Sequence, residues 1–232
     1  MASAKPAVLV AGGTGALGAA VLGELLASGY PVTATWLVER ERERVERDFG
    51  DEQALTLAQA DLMDADAVAD VVGGVDGLGS VVNLVGGFSA PGKVHESSIE
   101  DFESMLRLNL RPAFLLARAG MPRLASAGGG AFVGVSARPA LRPFAGAAGY
   151  IASKAAVLAF IQALDAEYRN DGVRCNAILP SVIDTPANRE AQPDADWSKW
   201  VPPEQIAKVV RFLIADDSAP TSGAGIPVYG RA

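Results

Sequence analysis

Apolar positions along the 232-residue chain fall into short unbroken runs, separated by longer segments in which apolar and polar residues recur with helical spacing. The first run, Ala7–Ala11 (AVLVA), has no polar position, as expected of a strand covered on both faces. Ala16–Ser28 reads as a helix closed by Gly29, and Val32–Val38 as a second strand. Residues 39–50 (ERERERVERDFG) alternate in sign and read as a solvated helix or helix–loop. Leu55–Ala60 is a third strand, Asp64 to Val72 a short helix, and Ser80–Val85 a fourth strand. One long helix is predicted over 98–126, from Phe102, Met105, Leu106, Leu110, Phe114 and Leu115. A fifth strand, Ala131–Val135, precedes a helix at Ala147–Arg169 that Asn170, Asp171 and Gly172 close. A sixth strand, Arg174–Leu179, leads into a loop at 180–202. A helix follows at 203–215, with Ile206, Val209, Val210 and Leu213 as its stripe, and Ile226–Tyr229 is the last short strand.

Strict alternation of this kind predicts a single-domain α/β protein of the Rossmann type over residues 1–232. About seven parallel strands would form a doubly wound sheet with helices on both faces, and ligands would bind at the carboxyl ends of the strands.

Composition narrows the function classes. Half the residues are hydrophobic and the net charge is −7, with no basic patch, which excludes nucleic acid as a partner. Cys175 stands alone inside the apolar CNAIL run and His95 is the one histidine, so neither a disulfide nor a metal site is expected. Residues 6–23 are uncharged and follow Lys5, a loose likeness to a signal peptide or a membrane span. Gly12, Gly13, Gly15 and Gly18 interrupt that stretch, and Glu24 ends it short of the ~20 residues a span needs. A cytoplasmic protein with no membrane partner is the expectation.

Two motifs carry chemistry. AGGTGALG at 11–18 holds Gly13, Gly15 and Gly18 as G-x-G-x-x-G between a strand and a helix, where close backbone approach and free helix N–H groups suit a pyrophosphate. GYIASK at 149–154 sets Tyr150 and Lys154 on one helix face. A lysine ammonium there would favour phenolate and lower the tyrosine pKa from about 10, making it a general acid near neutral pH.

With these motifs in order, the chain resembles the short-chain dehydrogenase/reductase family over nearly its whole length. The resemblance implies NAD(P)-dependent hydride transfer between a nicotinamide cofactor and a carbonyl or alcohol. Tyr150 would be the proton donor, Lys154 its tuner, Ser136 in FVGVSA the group gripping the substrate oxygen, and Asn109 in LNLRPAF the anchor of a proton-passing water. The gap from Ser136 to Tyr150 is one residue longer than the family's usual gap. For the cofactor the resemblance implies Gly12, Thr14, Gly15, Leu17 and Gly18, then Trp36 and Arg40 after the second strand and Asp61 and Leu62 after the third. Asn83 and Gly86 follow the fourth strand, Ile183 and Thr185 the sixth, and Tyr150 and Lys154 complete the set. Because Trp36 stands where an acid would select NAD(H), and Arg40 and Arg42 follow it, NADP(H) is favoured, although a shifted strand end would bring Glu39 to the ribose. A homodimer or homotetramer is implied as well.

Residues 179–203 resemble the matching segment of dihydropteridine reductases, through Asp-Thr-Pro-x-Asn-Arg at 184–189 and Trp200 followed by Pro202; Gly86-Gly87-Phe88 resembles that group's Gly-Gly-Trp. The loop at 180–202 reads as a substrate lid. Reduction of a quinonoid ring is therefore the enzymatic alternative, and a non-catalytic dinucleotide-binding regulator the other. Arg138, Arg142 and Arg189 lie in loops expected to border the site and would serve either an anionic substrate or solvent.

Overall fold

A computed structural model describes residues 5–231; residues 1–4 and 232 of the expected domain lie outside it. Seven strands make one parallel sheet in the order β3-β2-β1-β4-β5-β6-β7. They are β1 (Ala7–Ala11), β2 (Val32–Trp36), β3 (Leu55–Gln59), β4 (Leu78–Asn83), β5 (Gly130–Val135), β6 (Val173–Pro180) and β7 (Gly225–Val228). Their connections hold the helices α1 (Ala16–Ala27), α2 (Glu39–Phe49), α3 (Ala65–Gly73), α4 (Ile99–Ser126), α5 (Ala148–Tyr168), α6 (Pro186–Ala191) and α7 (Pro203–Ile214).

Alternation along each strand divides the core between the two faces of the sheet. Leu9 joins Val68 and Val72 of α3, Leu116 of α4 and Ile161 of α5 on one face. Val8 and Val10 join Val21 and Leu25 of α1, Val45 of α2 and Ile206 and Val210 of α7 on the other. The doubly wound single domain predicted from the sequence is the one observed.

Several boundaries shift for local reasons. β2 ends at Trp36, level with the last residue of β3, Gln59; Leu37 and Val38 leave the sheet exposed, and Val38 starts α2. β4 begins two residues early at Leu78 and stops at Asn83, whose neighbour on β1 is the last residue of that strand. The charged run is a regular helix that buries Val45 alone among its residues. Phe102 and Phe114, which the periodicity assigned to the apolar stripe of α4, are exposed. The loop at 180–202 contains α6, started by Pro186 at N1, where its missing N–H costs nothing.

One close approach and one reversal in the strand order position the site. A Cβ on Gly134 of β5 would lie 2.4 Å from Ile161 Cδ1, so glycine there lets α5 pack tightly on the sheet. β1 sits between β2 and β4, where the chain's direction of progress across the sheet reverses, and this opens the crevice at its carboxyl end.

Candidate active site

The loop after β1 is shaped by its glycines. Gly12 has φ +76°, and a Cβ on Gly13 would lie 2.7 Å from Ala34 Cβ of β2. A Cβ on Gly18 would strike the carbonyl oxygens of Gly13 and Gly12, at 2.3 and 2.4 Å, so only glycine lets α1 begin beneath the loop. Thr35 Oγ1 accepts from the Gly12 N–H at 2.9 Å and fixes the loop to β2. Gly15 is the N-cap of α1, and no side chain caps that helix end. Its free N–H groups and positive dipole end therefore face a glycine cradle, which fits the pyrophosphate of a dinucleotide. Leu17 packs against the core face shared by α1 and α7.

Beside the cradle, the carboxyl ends of the neighbouring strands bring in the other expected residues. Trp36 ends β2 half-buried, with the Arg42 guanidinium 5.3 Å from its ring centre. Arg42 is held by Glu39 at 2.5 Å and also by Glu46, and Arg40 points to solvent. Asp61 follows β3 exposed, accepting from the Met63 N–H at 2.9 Å, while Leu62 is buried. Asn83 is buried at the end of β4, and its Oδ1 accepts from the Val85 N–H at 3.1 Å.

The residues expected to handle the proton meet where α4, α5 and the loop after β4 converge. Asn109 Oδ1 accepts from the Gly87 N–H at 3.0 Å. Its Nδ2 lies within donating distance of the Gly87 carbonyl at 3.2 Å, the Met105 carbonyl at 3.1 Å and Ser153 Oγ at 3.0 Å. Ser153, which the sequence reading passed over, is fully buried and donates to the Tyr150 carbonyl at 2.7 Å, so it joins Asn109 to the helix turn that carries Tyr150. Its signal was its place between Tyr150 and Lys154 on the same helix. Lys154 is 5% exposed and donates from Nζ to the Val135 carbonyl at 3.0 Å. A Cβ on Gly86 would lie 2.6 Å from Asn109 Oδ1 and 2.8 Å from Lys154 Nζ, so the missing side chain lets all three residues meet.

Two expectations need correction. Lys154 does not make the Tyr150 phenol more acidic in this structure. Burial pushes Tyr150 up to about 12 and brings Lys154 down to about 8, so desolvation of the phenolate, and not the nearby lysine, sets the direction of the tyrosine's shift. Ser136 does not face the crevice. The residue is 1% exposed and its hydroxyl donates to the Lys154 carbonyl at 2.7 Å, which turns it away from a substrate oxygen. Ser136 and Lys154 are thereby clipped twice, since Lys154 Nζ bonds the adjoining Val135 carbonyl. Ala137 follows in extended conformation, so its methyl points the opposite way.

Phe88 lies edge-to-face with Tyr150, ring centres 4.9 Å apart, and is 62% exposed, presenting an aromatic wall to the solvent side of the tyrosine. A cleft of about 280 Å³, lined mainly by apolar groups that include Val94, Ile99, Phe102 and Met105, reaches Tyr150. A larger hollow of about 590 Å³ lies at the amino-terminal ends of the strands, away from this chemistry. Across the crevice, Thr185 caps α6 through the Asn188 N–H, and Ile183 pairs with Val201. Arg189 is paired with Asp184 at 2.5 Å and lies 4.7 Å from the Trp197 ring centre, and Arg138 lies over Tyr229. Trp200 is buried. Among the described residues no group of three or more His, Cys, Asp or Glu could hold a metal, and no helix is long and apolar enough to cross a membrane.

If Gly86 is the shared floor of Asn109 and Lys154, Gly86→Ala should lower turnover about a hundredfold, the cost of a misplacement near 1 Å. The melting temperature should stay close to wild type; an equal fall in stability and activity would make Gly86 a packing residue only.

Comparison with known proteins gives the family and the fold. The short chain dehydrogenase family model matches residues 6–196. The chain is 31% identical over 238 residues to 2,5-dichloro-2,5-cyclohexadiene-1,4-diol dehydrogenase LinX of Sphingobium indicum, covering 96% of this chain and 94% of that one. It is 31% identical over 199 residues to 2-(R)-hydroxypropyl-CoM dehydrogenase of Xanthobacter autotrophicus, covering 81% and 76%. In fold it is similar to a short-chain type dehydrogenase/reductase from Mycobacterium ulcerans, with a TM-score of 0.92 at 23% identity over 100% of this chain and 90% of that one. It is equally similar to ElxO with NADP bound, at TM-score 0.91 and 23% identity over 97% and 98%. The narrower likeness of residues 179–203 to dihydropteridine reductases is not shown by these matches. A glycine cradle, a Tyr150–Lys154 helix and a family match over most of the sequence lead to one conclusion: this chain is an oxidoreductase of the short-chain dehydrogenase/reductase family.

Proposed function

We propose that this protein passes hydride between a nicotinamide cofactor, NADP(H) in preference to NAD(H), and a carbonyl or alcohol, with Tyr150 as the proton donor. The observation that carries the reading is the cluster of buried Asn109, Ser153 and Lys154 around the helix turn of half-buried Tyr150, beside an uncapped helix end. The cofactor supplies the hydride when bound. The α1 end and the Gly12–Gly18 loop would hold its pyrophosphate, Asn83 and Gly86 would border its path, and Ile183 and Thr185 would flank its far end. Tyr150 keeps its proton at neutral pH, because burial disfavours the phenolate, and so suits protonation of a substrate oxygen more than its deprotonation. Lys154 anchors the base of the same helix turn. Residues 180–202 serve as the lid; the Asp184–Arg189 pair stacked on Trp197 gives that segment an internal brace. A second copy packs on the outer faces of α4 and α5, where Phe114 is exposed.

One observation favours a second reading, reduction of a conjugated quinonoid ring. With Ser136 turned inward, Tyr150 is the hydroxyl available to a substrate oxygen, and Phe88 offers a flat ring a surface to lie against. A cofactor-oxidation screen of cyclic ketones, quinones and quinonoid dihydropterin separates the two.

Replacing Tyr150 by Phe should reduce turnover beyond the ~10²–10⁴-fold typical of losing a general acid, with cofactor binding retained. Wild-type rates in that variant would end the mechanism. Ser136→Ala should lower turnover by less than about tenfold, well under the ~10²–10³-fold loss of an oxyanion donor. A hundredfold fall on ketones would return Ser136 to the substrate. The Lys154 ammonium is complete well below pH 8 and is lost as the pH rises through about 8. In the direction of carbonyl reduction, kcat/KM for the cofactor, which reports the free enzyme, should therefore fall on its alkaline side near that pH. An alkaline limb close to the ordinary lysine value would show that Lys154 is not desolvated.

A further inference from the structure

The expected cation for an adenosine 2′-phosphate was Arg40 or Arg42, yet neither stands free at the crevice. Arg42 is held between Glu39 and Glu46 and lies over Trp36, and Arg40 faces solvent. A third arginine of α2 reaches the glycine loop instead. Arg44 donates from its guanidinium to the Thr14 carbonyl at 2.5 Å, across thirty residues of sequence. Thr14 is 2% exposed, so Arg44 is drawn down against the loop itself. Its other N–H groups have no carboxylate among the ion pairs of the described residues, unlike those of Arg42. One turn earlier on the same face, Glu41 Oε2 accepts from Thr14 Oγ1 at 3.3 Å. The adenosine ribose of a bound dinucleotide meets the residues beside the end of β2, and the charge found there discriminates a 2′-hydroxyl from a 2′-phosphate.

We infer that Arg44 is the specificity-determining residue for the cofactor: its guanidinium, braced on the Thr14 carbonyl, takes the 2′-phosphate of NADP(H), while Glu41 supports the loop through the Thr14 hydroxyl. This rests on the nicotinamide reading above. A fork of planar donors suits a phosphate, and bracing one N–H on a backbone carbonyl limits the ordering left to be done on binding. Glu41 opposes the phosphate by its charge, which makes the selection a contest between two side chains one turn apart.

The test is fluorescence titration of NADPH and of NADH, each alone, into wild type, Arg44→Ala, Arg44→Lys and Glu41→Gln, with circular dichroism to check folding. Arg44→Ala should weaken NADPH about ten- to a hundredfold, the scale of a hydrogen bond to a charged group. NADH should change by less than threefold in the same variant. Arg44→Lys should recover part of the NADPH loss, and Glu41→Gln should tighten NADPH. Equal losses for both cofactors, a loss that instead follows Arg40→Ala or Arg42→Ala, or a wild type that binds NADH more tightly than NADPH overturns the assignment and leaves the hydride-transfer reading standing. A wild type that binds neither cofactor overturns that reading and this assignment with it.

Discussion

A lysine buried with no carboxylate partner among the described residues is the constraint around which this site is arranged. Removing an ammonium from water is costly unless neutral acceptors replace its hydration, and Lys154 has the Val135 carbonyl for that purpose. The residues nearby follow from this need. Gly86 has no side chain to crowd the ammonium, Ser136 fixes the lysine's own backbone, and Asn109 ties the loop carrying Gly86 to α4 and α5. Tyr150, one turn earlier on α5, inherits its place from these contacts.

The fold was legible because its signals are local. Apolar strands buried on both faces, glycine at the β1–α1 turn and caps at helix ends each act over a few residues. What escaped was settled by packing between distant segments. Strand ends follow their partners: β2 stops where β3 stops, and this made Trp36 the last residue of its strand and left Leu37 and Val38 to lead into α2. The outward placing of Phe102 and Phe114 could not be read from spacing, since a 3.6-residue period marks a stripe without saying what covers it.

The site was legible as a set of residues and less so as a set of orientations. Asn109, Tyr150 and Lys154 do converge. Ser136 follows the end of β5, yet its hydroxyl points toward α5, and the sequence held a trace of this: counted back from Tyr150 at the family's usual interval, the position reached is Ala137. Among the charged residues of α2, composition could not say which arginine leans toward the glycine loop. That depends on the rotation of a helix about its axis, and the single buried residue Val45 sets it.

The double clip between β5 and α5 divides the molecule mechanically. With Ser136 bonded to the Lys154 backbone and the Lys154 side chain bonded to Val135, α5 is fastened to the central sheet at the turn that carries Lys154. Motion that admits or releases ligands would then belong to the segment bearing α6 and to the exposed residues from Phe88 onward, beyond the point where Asn109 holds Gly87. Slow steps in turnover would on this account be governed by loop chemistry, and the rate of exchange could be altered there without touching the atoms that move the proton.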